Sequence, residues 1–226
     1  VPSIDATSAT GPSAADVAGA VAPAPRAVTE RPVQLRGGSA LARALLRLAR
    51  WRVLFDGLPA RQGVVIVYPH TSNWDFIVGV LAKWSIGIPV HFWGKASLFE
   101  IPLFGRWLRW LGGVPVDRAS PQGAVGAMVQ RLRDAAARDE FFWLALAPEG
   151  TRRRGHGLRS GFYHVAVQAG VPLGLAGLDH ARRQVALVDF LQLAGDAGLD
   201  LPAIASRLGH HRGRRPEWAA PIRLLD

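Results

Sequence analysis

The chain has 226 residues, enough for one full domain with a sizeable core but cramped for two. It is 49% hydrophobic and 19% charged, yet no run approaches the roughly 18 uninterrupted apolar residues of a spanning helix, which argues against an integral membrane protein. Lys and Arg number 27 against 17 Asp and Glu, a net +10 that favours a polyanionic partner (nucleic acid, an anionic bilayer, or an acidic small molecule or carrier), and the lack of cysteine excludes a disulfide framework, a thiolate nucleophile and a cysteine zinc site.

Residues 1–38 are rich in Ala, Pro, Ser, Thr and Val, as in "TGPSAADVAGAVAPAPRAV", and contain no aromatic residue. Such a segment buries too little apolar surface to offset its chain entropy, so disorder is expected and the fold is assigned to residues 39–226. It lacks the basic start and compact apolar stretch of a secretory signal, and the absence of an initiator Met leaves a trimmed leader open.

"SALARALLRLARWRVLF" follows. Helical spacing sets Leu41, Leu45 and Leu48 on one side and Arg43, Arg47 and Arg50 on the other, with Ser39 as N-cap. This basic amphipathic helix is expected either to pack on the domain with its arginines solvated or to lie in a membrane interface. "GVVIVY" is a β-branched run without alternation, the pattern of a strand covered on both faces. After the polar "PHTSNWD", a helix is expected from about Trp74 to Trp84. Ser120 and Pro121 open another helix, whose stripe is Val125, Met128, Val129 and Leu132. "FFWLALA" reads as a second buried strand, and the helix "FYHVAVQA" stops at Gly170. "VPLGLAGL" and "VALVDF" read as strands joined at "DHARRQ". Strands and helices alternate, which predicts a single α/β domain with a mixed, mostly parallel sheet flanked by helices.

The polar clusters fall at strand ends, where open α/β sheets bind ligands. His70 and Asp75 lie five positions apart across a strand-to-helix turn; a carboxylate on one imidazole nitrogen makes the other a general base near neutral pH. The competing reading makes "SNWD" a capping box, with Ser72 as N-cap and Asp75 in the first turn. "GIPVHFWGKAS" faintly resembles a phosphate-binding loop, but its glycine spacing is wrong and Ala96 stands where a magnesium-binding hydroxyl belongs, so a nucleotide site is rejected. Lys95 remains a candidate anion contact from its charge. The Trp107, Trp110, Phe104, Leu103, Arg106 and Arg109 segment suits a bilayer headgroup zone, an acyl tunnel mouth or a plain apolar cluster. Arg118 in "GGVPVDR", and Glu149, Gly150, Thr151 and Arg152 in "APEGTRRR", form two further patches; arginine's planar fork suits phosphate and glycine permits close backbone approach. There is no Gly-x-Ser-x-Gly elbow, and the histidines show no metal-ligand spacing, so no metal is assigned.

Together these blocks resemble the glycerolipid acyltransferase family, which includes the 1-acylglycerol-3-phosphate acyltransferases and other lysophospholipid acyltransferases. "HTSNWD" is similar to its His-x4-Asp motif. "GGVPVDR", with Gly112 and Arg118, is similar to the second motif, "PEGTR" to the third, and "VPL" from Val171 to Leu173 to the start of a fourth. The resemblance implies acyl transfer from an acyl-CoA or acyl carrier protein thioester to a lysophospholipid hydroxyl, with 1-acylglycerol-3-phosphate, giving phosphatidic acid, as the first expectation. It implies that His70 deprotonates the acceptor and Asp75 fixes the tautomer. Arg118, Glu149, Gly150, Thr151 and Arg152 are implied to bind the acceptor, and no cofactor is required. Peripheral association with an anionic membrane surface, on its cytoplasmic face, goes with it. Departures from the pattern are Ala147, where an aromatic is common, Arg153, where a serine is common, and Leu175, where a second proline is expected; they leave the chemistry intact and open the acceptor to another lysolipid or lyso-aminolipid. The alternatives are a thioester or lipid hydrolase using the same dyad on water, and a non-catalytic basic protein. Nucleic acid is not expected as a partner, because no nucleic-acid-binding motif accompanies the charge.

Overall fold

The structure is a computed structural model that describes residues 24–35, 37–116 and 121–225. Ser120, the expected cap of the helix at Pro121, and Arg118 both lie outside the described residues.

The first ordered element, β1 (Arg26–Ala27), pairs antiparallel with the far end of β8 (Gln184–Gln192). Residues 24–35 are therefore held on the sheet, contrary to the boundary expected at residue 38. One reason is Arg31: it donates to the Val28 and Val188 carbonyls, pairs with Asp56 at 3.1 Å, and lies over the Phe190 ring. Arg31 adds to the anchorage given by Val28, Val33 and Leu35, which pack against the second core cluster.

Helix α1 (Ala40–Leu48) is capped by Ser39, whose side chain accepts from the Ala42 amide. Its inward face is not the leucine stripe. Ala42 and Leu46 are buried, while Leu41 and Leu48 are 70% and 82% exposed and Leu45 is also outward. Arg43 sets this rotation by donating to the Gly38 and Ser85 carbonyls, the latter at the end of α2 (Asn73–Ile86). The helix stops early, and "RVLF" becomes the strand β2 (Arg52–Phe55), parallel to β8.

"QGVVIVY" forms the central strand β3 (Gln62–Tyr68), parallel to both β6 (Phe142–Leu146) and β7 (Leu173–Asp179). Its lack of alternation has the expected cause. Val64, Ile66 and Tyr68 point into one core with Met128, Leu132, Phe162 and Ile204; Val65 faces the other with Leu58, Ile88, Trp143 and Phe190. Both faces are covered, so the run from Val64 to Val67 is apolar throughout. On the first face lie α5 (Pro121–Ala137), α6 (Gly161–Ala169) and α7 (Ala197–Leu208). On the second, α2 packs Val78 and Ala82 against Leu178 and Val185.

The sheet continues through β4 (Val90–Lys95) and β5 (Gly113–Val116), both parallel, with the short α3 (Ala96–Phe99) and α4 (Phe104–Trp110) between them. The order is β1-β8-β7-β3-β6-β4-β5, with β2 also on β8. Because β3, β4, β6 and β7 run the same way, the residues following each emerge at one edge of the sheet. His70, Lys95, Glu149 and His180 are all delivered there.

Candidate active site

The turn after β3 is shaped by Asp75. Its Oδ2 accepts from the Thr71 and Ser72 amides, each at 2.7 Å, and the Ser72 hydroxyl accepts from the Trp74 amide at 3.2 Å. This is a helix cap, and the same Oδ2 lies 3.5 Å from Nδ1 of His70. Capping and pairing are therefore one arrangement: a carboxylate that binds the turn's amides is held below the imidazole that the turn presents. Asp75 is wholly buried and His70 nearly so.

The other imidazole nitrogen, Nε2, accepts from Nε of Arg152 at 3.3 Å. That bond selects the tautomer with the proton on Nδ1 and the lone pair on Nε2, the form a general base requires. Burial drives the His70 pKa down to about 4, with Asp75 acting in the opposite sense and the Arg152 charge adding to the depression. At neutral pH the ring is uncharged and able to take a proton.

Glu149 turns inward. One carboxylate oxygen accepts from the His70 amide and the other from the Ala220 amide at 3.0 Å, and the side chain is buried. Burial raises its pKa, opposed by those two amide bonds, with Asp75 pushing the same way as burial. Within the described contacts it fixes backbone on both sides of the site. Gly150 follows in a left-handed turn with φ +65°, which glycine adopts without strain, and its amide donates to the Ala147 carbonyl. Thr151 accepts from the Arg153 amide through its hydroxyl. Lys95 is exposed at the end of β4, on the same edge of the sheet.

A cleft of about 580 Å³ opens beside the turn. Its walls include Thr71 to Trp74 and Thr151 to Arg153, together with Arg214, Arg215 and Trp218. The last three come from the C-terminal segment, for which the sequence suggested no role in the site. It is tied in at several points: Arg215 N–H donates to the Thr71 hydroxyl, Tyr68 O–H to the Ala220 carbonyl at 2.8 Å, and the Leu158 amide to Arg223. Gly213 lies close against Thr71 and Pro69, where a side chain would collide. Four arginines thus face one cleft, and one of them, Arg152, also contacts His70, an arrangement suited to an anionic substrate bearing a hydroxyl.

Sequence reading also missed His180. It follows β7 as His70 follows β3, and its Nε2 lies 2.7 Å from Oδ1 of Asp75. Its strand-end position was the available signal, obscured because "DHARRQ" reads equally well as a hairpin turn. Among the described residues, no group of three or more His, Asp or Glu side chains is arranged to hold a metal ion.

A 1-acyl-sn-glycerol-3-phosphate acyltransferase of Escherichia coli (strain K12) is 34% identical over 113 residues, 48% of this chain and 44% of that protein. One from Haemophilus influenzae is 35% identical over 108 residues, 46% of this chain and 42% of that protein. Each match thus spans less than half of the curated relative. Among solved structures, the 1-acyl-sn-glycerophosphate acyltransferase PlsC of Thermotoga maritima aligns with a TM-score of 0.41 and 19% identity, over 65% of this chain and 63% of that one, too weakly to bear on the fold. The family model described as Acyltransferase matches residues 52–174, which include His70, Asp75 and Glu149 to Arg152, and this match over more than half of the chain makes the protein a member of the Acyltransferase family.

Proposed function

We propose that the protein transfers a fatty acyl group from an acyl thioester, on coenzyme A or an acyl carrier protein, to the hydroxyl of a lysophospholipid. The first choice of acceptor is 1-acylglycerol-3-phosphate, the acceptor named by the relatives. The observation that carries this reading is His70, its Nδ1 beside Asp75 and its Nε2 against Arg152, which walls a cleft together with Arg153, Arg214 and Arg215.

The geometry supports the following steps. Nε2 of His70 takes the acceptor's hydroxyl proton as its oxygen bonds to the thioester carbonyl carbon; Asp75 stabilises the imidazolium. Collapse of the tetrahedral intermediate breaks the carbon–sulfur bond, and His70 returns the proton to the departing thiolate. General-base assistance of this kind is worth roughly 10²- to 10⁴-fold. The cleft arginines hold the acceptor's phosphate, with Arg118 and Lys95 as further phosphate contacts. Neither step consumes a metal or redox equivalent.

The substrates also suggest a surface. Helix α4 joins α2 through Phe76 against Trp107 and Trp84 against Trp110, and α1 packs on α2. Outward on these helices are Leu41, Leu48, Trp74, Ile77, Leu103 and Trp110, with Arg47 and Arg50 close to the leucines. Apolar groups flanked by arginine suit an anionic bilayer, here on its cytoplasmic face. No helix among the described residues is long and apolar enough to cross a membrane.

The decisive experiment is an acceptor screen with purified protein, labelled long-chain acyl-CoA and a panel of lysolipids, products identified by mass. Phosphatidic acid from lysophosphatidic acid, lost in His70→Ala, is the expected result. Acyl release independent of any acceptor would overturn the transferase reading.

A further inference from the structure

We propose that His180 is a positioning residue for the base: it fixes the Asp75 carboxylate, and through it the His70 ring. The two oxygens of Asp75 are unequally loaded. Oδ2 accepts from two main-chain amides at 2.7 Å, and His70 Nδ1 approaches that same oxygen only to 3.5 Å. Oδ1 is held by His180 Nε2 at 2.7 Å. A carboxylate's terminal torsion is broad, so two amides on a single oxygen leave the carboxylate plane free to rock. A short bond to the other oxygen, from a different strand, removes that freedom.

His180 is itself well anchored. Its amide donates to the Arg212 carbonyl at 2.8 Å, and Trp51 meets its ring edge-to-face with centroids 5.0 Å apart. To donate to Asp75, His180 carries its proton on Nε2, the opposite tautomer to His70. It lines a second cleft of about 350 Å³ with Trp51, Trp74, Val78, Arg183 and Arg214, which shares Trp74 and Arg214 with the cleft that holds Arg152. His180 is not among the walls of the Arg152 cleft, and its contact with the base runs through Asp75.

The catalytic consequence rests on the acyltransferase reading above; the effect on the His70 ring does not. The test compares His180→Leu, which removes the donor, with His180→Gln, whose amide N–H reaches about as far as Nε2. His180→Leu is expected to lower kcat on the order of 10- to 100-fold, as loss of an orienting partner does elsewhere, with KM for donor and acceptor little changed. His180→Gln is expected to recover most of the loss. Circular dichroism checks that both fold. In parallel, ¹⁵N-histidine NMR reads the His70 Nδ1–H signal, which should broaden in His180→Leu and sharpen again in His180→Gln. An unchanged His70 signal in His180→Leu, or equal kcat in all three proteins, would overturn the proposal. Should the wild type acylate no lysolipid, the acyltransferase reading fails, and the NMR comparison still decides whether His180 positions His70.

Discussion

Arg152 donates to Nε2 of His70, the nitrogen proposed above to accept the substrate's proton, across 3.3 Å. In the free protein, therefore, a cation occupies the base's lone pair and helps to hold its pKa near 4. An acceptor phosphate that draws Arg152 aside would vacate the lone pair and make the imidazole more basic in one movement. Water offers no such pull, so on the proposed mechanism the arrangement would work against thioester hydrolysis.

The pH dependence tests this. A general base must be unprotonated, so a pKa depressed to about 4 carries the acid limb of kcat/KM well below the usual histidine value of 6.5. Replacing Arg152 by Gln removes one of the two influences that lower it, leaving burial as the other. The acid limb should then move up toward 6.5, and hydrolysis without acceptor should rise. A limb that stays put would mean that Arg152 does not act on His70 in solution.

The same depression links stability to pH. Between pH 6.5 and 4 the unfolded chain protonates this histidine while the folded protein resists it, so stability is complete above 6.5 and declines as pH falls toward 4. Each tenfold difference in proton affinity is worth about 1.4 kcal/mol. The decline should be shallower in His70→Gln, measured by urea unfolding at a series of pH values. Comparing the two proteins cancels the other burial-shifted groups, His91, His211 and Glu149.

Glu149 joins the His70 turn to the C-terminal segment. Glu149→Gln places an NH₂ where an amide N–H needs an acceptor, leaving one buried donor unpaired at a cost of about 1–3 kcal/mol. Urea unfolding should register that loss, and kcat should fall as His70 and the Arg214–Arg215 wall lose their common anchor. Wild-type stability in this variant would show that the two amides find other partners.

The legible parts of this protein were those written in local chemistry. Ser39 and Ser72 cap the helices expected of them, Gly170 ends its helix, and the unbroken apolar run of β3 marks a strand covered on both faces. The His70–Asp75 approach was legible because both residues belong to one turn. His180 meets Asp75 from 105 residues away, and Arg214 and Arg215 reach the cleft only because the chain returns across it; neither contact has a periodicity to betray it. The rotation of α1 failed to follow its leucine stripe for a related reason. Arg43 finds the Ser85 carbonyl on a neighbouring helix, a tertiary contact that helical spacing does not encode.

The cleft arginines should divide the kinetics. Arg214→Ala and Arg215→Ala remove charge from the walls of the cleft that holds Arg152, and Arg118→Ala removes the phosphate contact proposed in the second motif. Each should raise KM for a phosphorylated acceptor on the order of 10-fold while leaving that for acyl-CoA nearly unchanged, the mark of a ground-state contact with one substrate. Equal effects on both KM values would make these residues general electrostatic attractors. A glycerol lysolipid without phosphate should be insensitive to all three changes.

The outward leucines of α1 can be altered without touching the core, because Ala42 and Leu46 carry its packing and Arg43 its orientation. Replacing Leu41 and Leu48 by Ser should change stability by no more than about 0.5 kcal/mol per site, as for other exposed positions. Binding to vesicles is another matter: each leucine fully transferred into an apolar interface contributes about 1.5–3 kcal/mol. Sedimentation with vesicles containing anionic phospholipid should show the double variant binding at least tenfold more weakly, and Arg47→Gln and Arg50→Gln should weaken binding further in low salt only. Acylation of an acceptor dispersed below its aggregation limit should survive all four changes, since none of these residues lines the cleft at His70. If vesicle binding were unaffected, α1 would not be the docking surface, and the outward Trp107 and Trp110 of α4 would be the next residues to change.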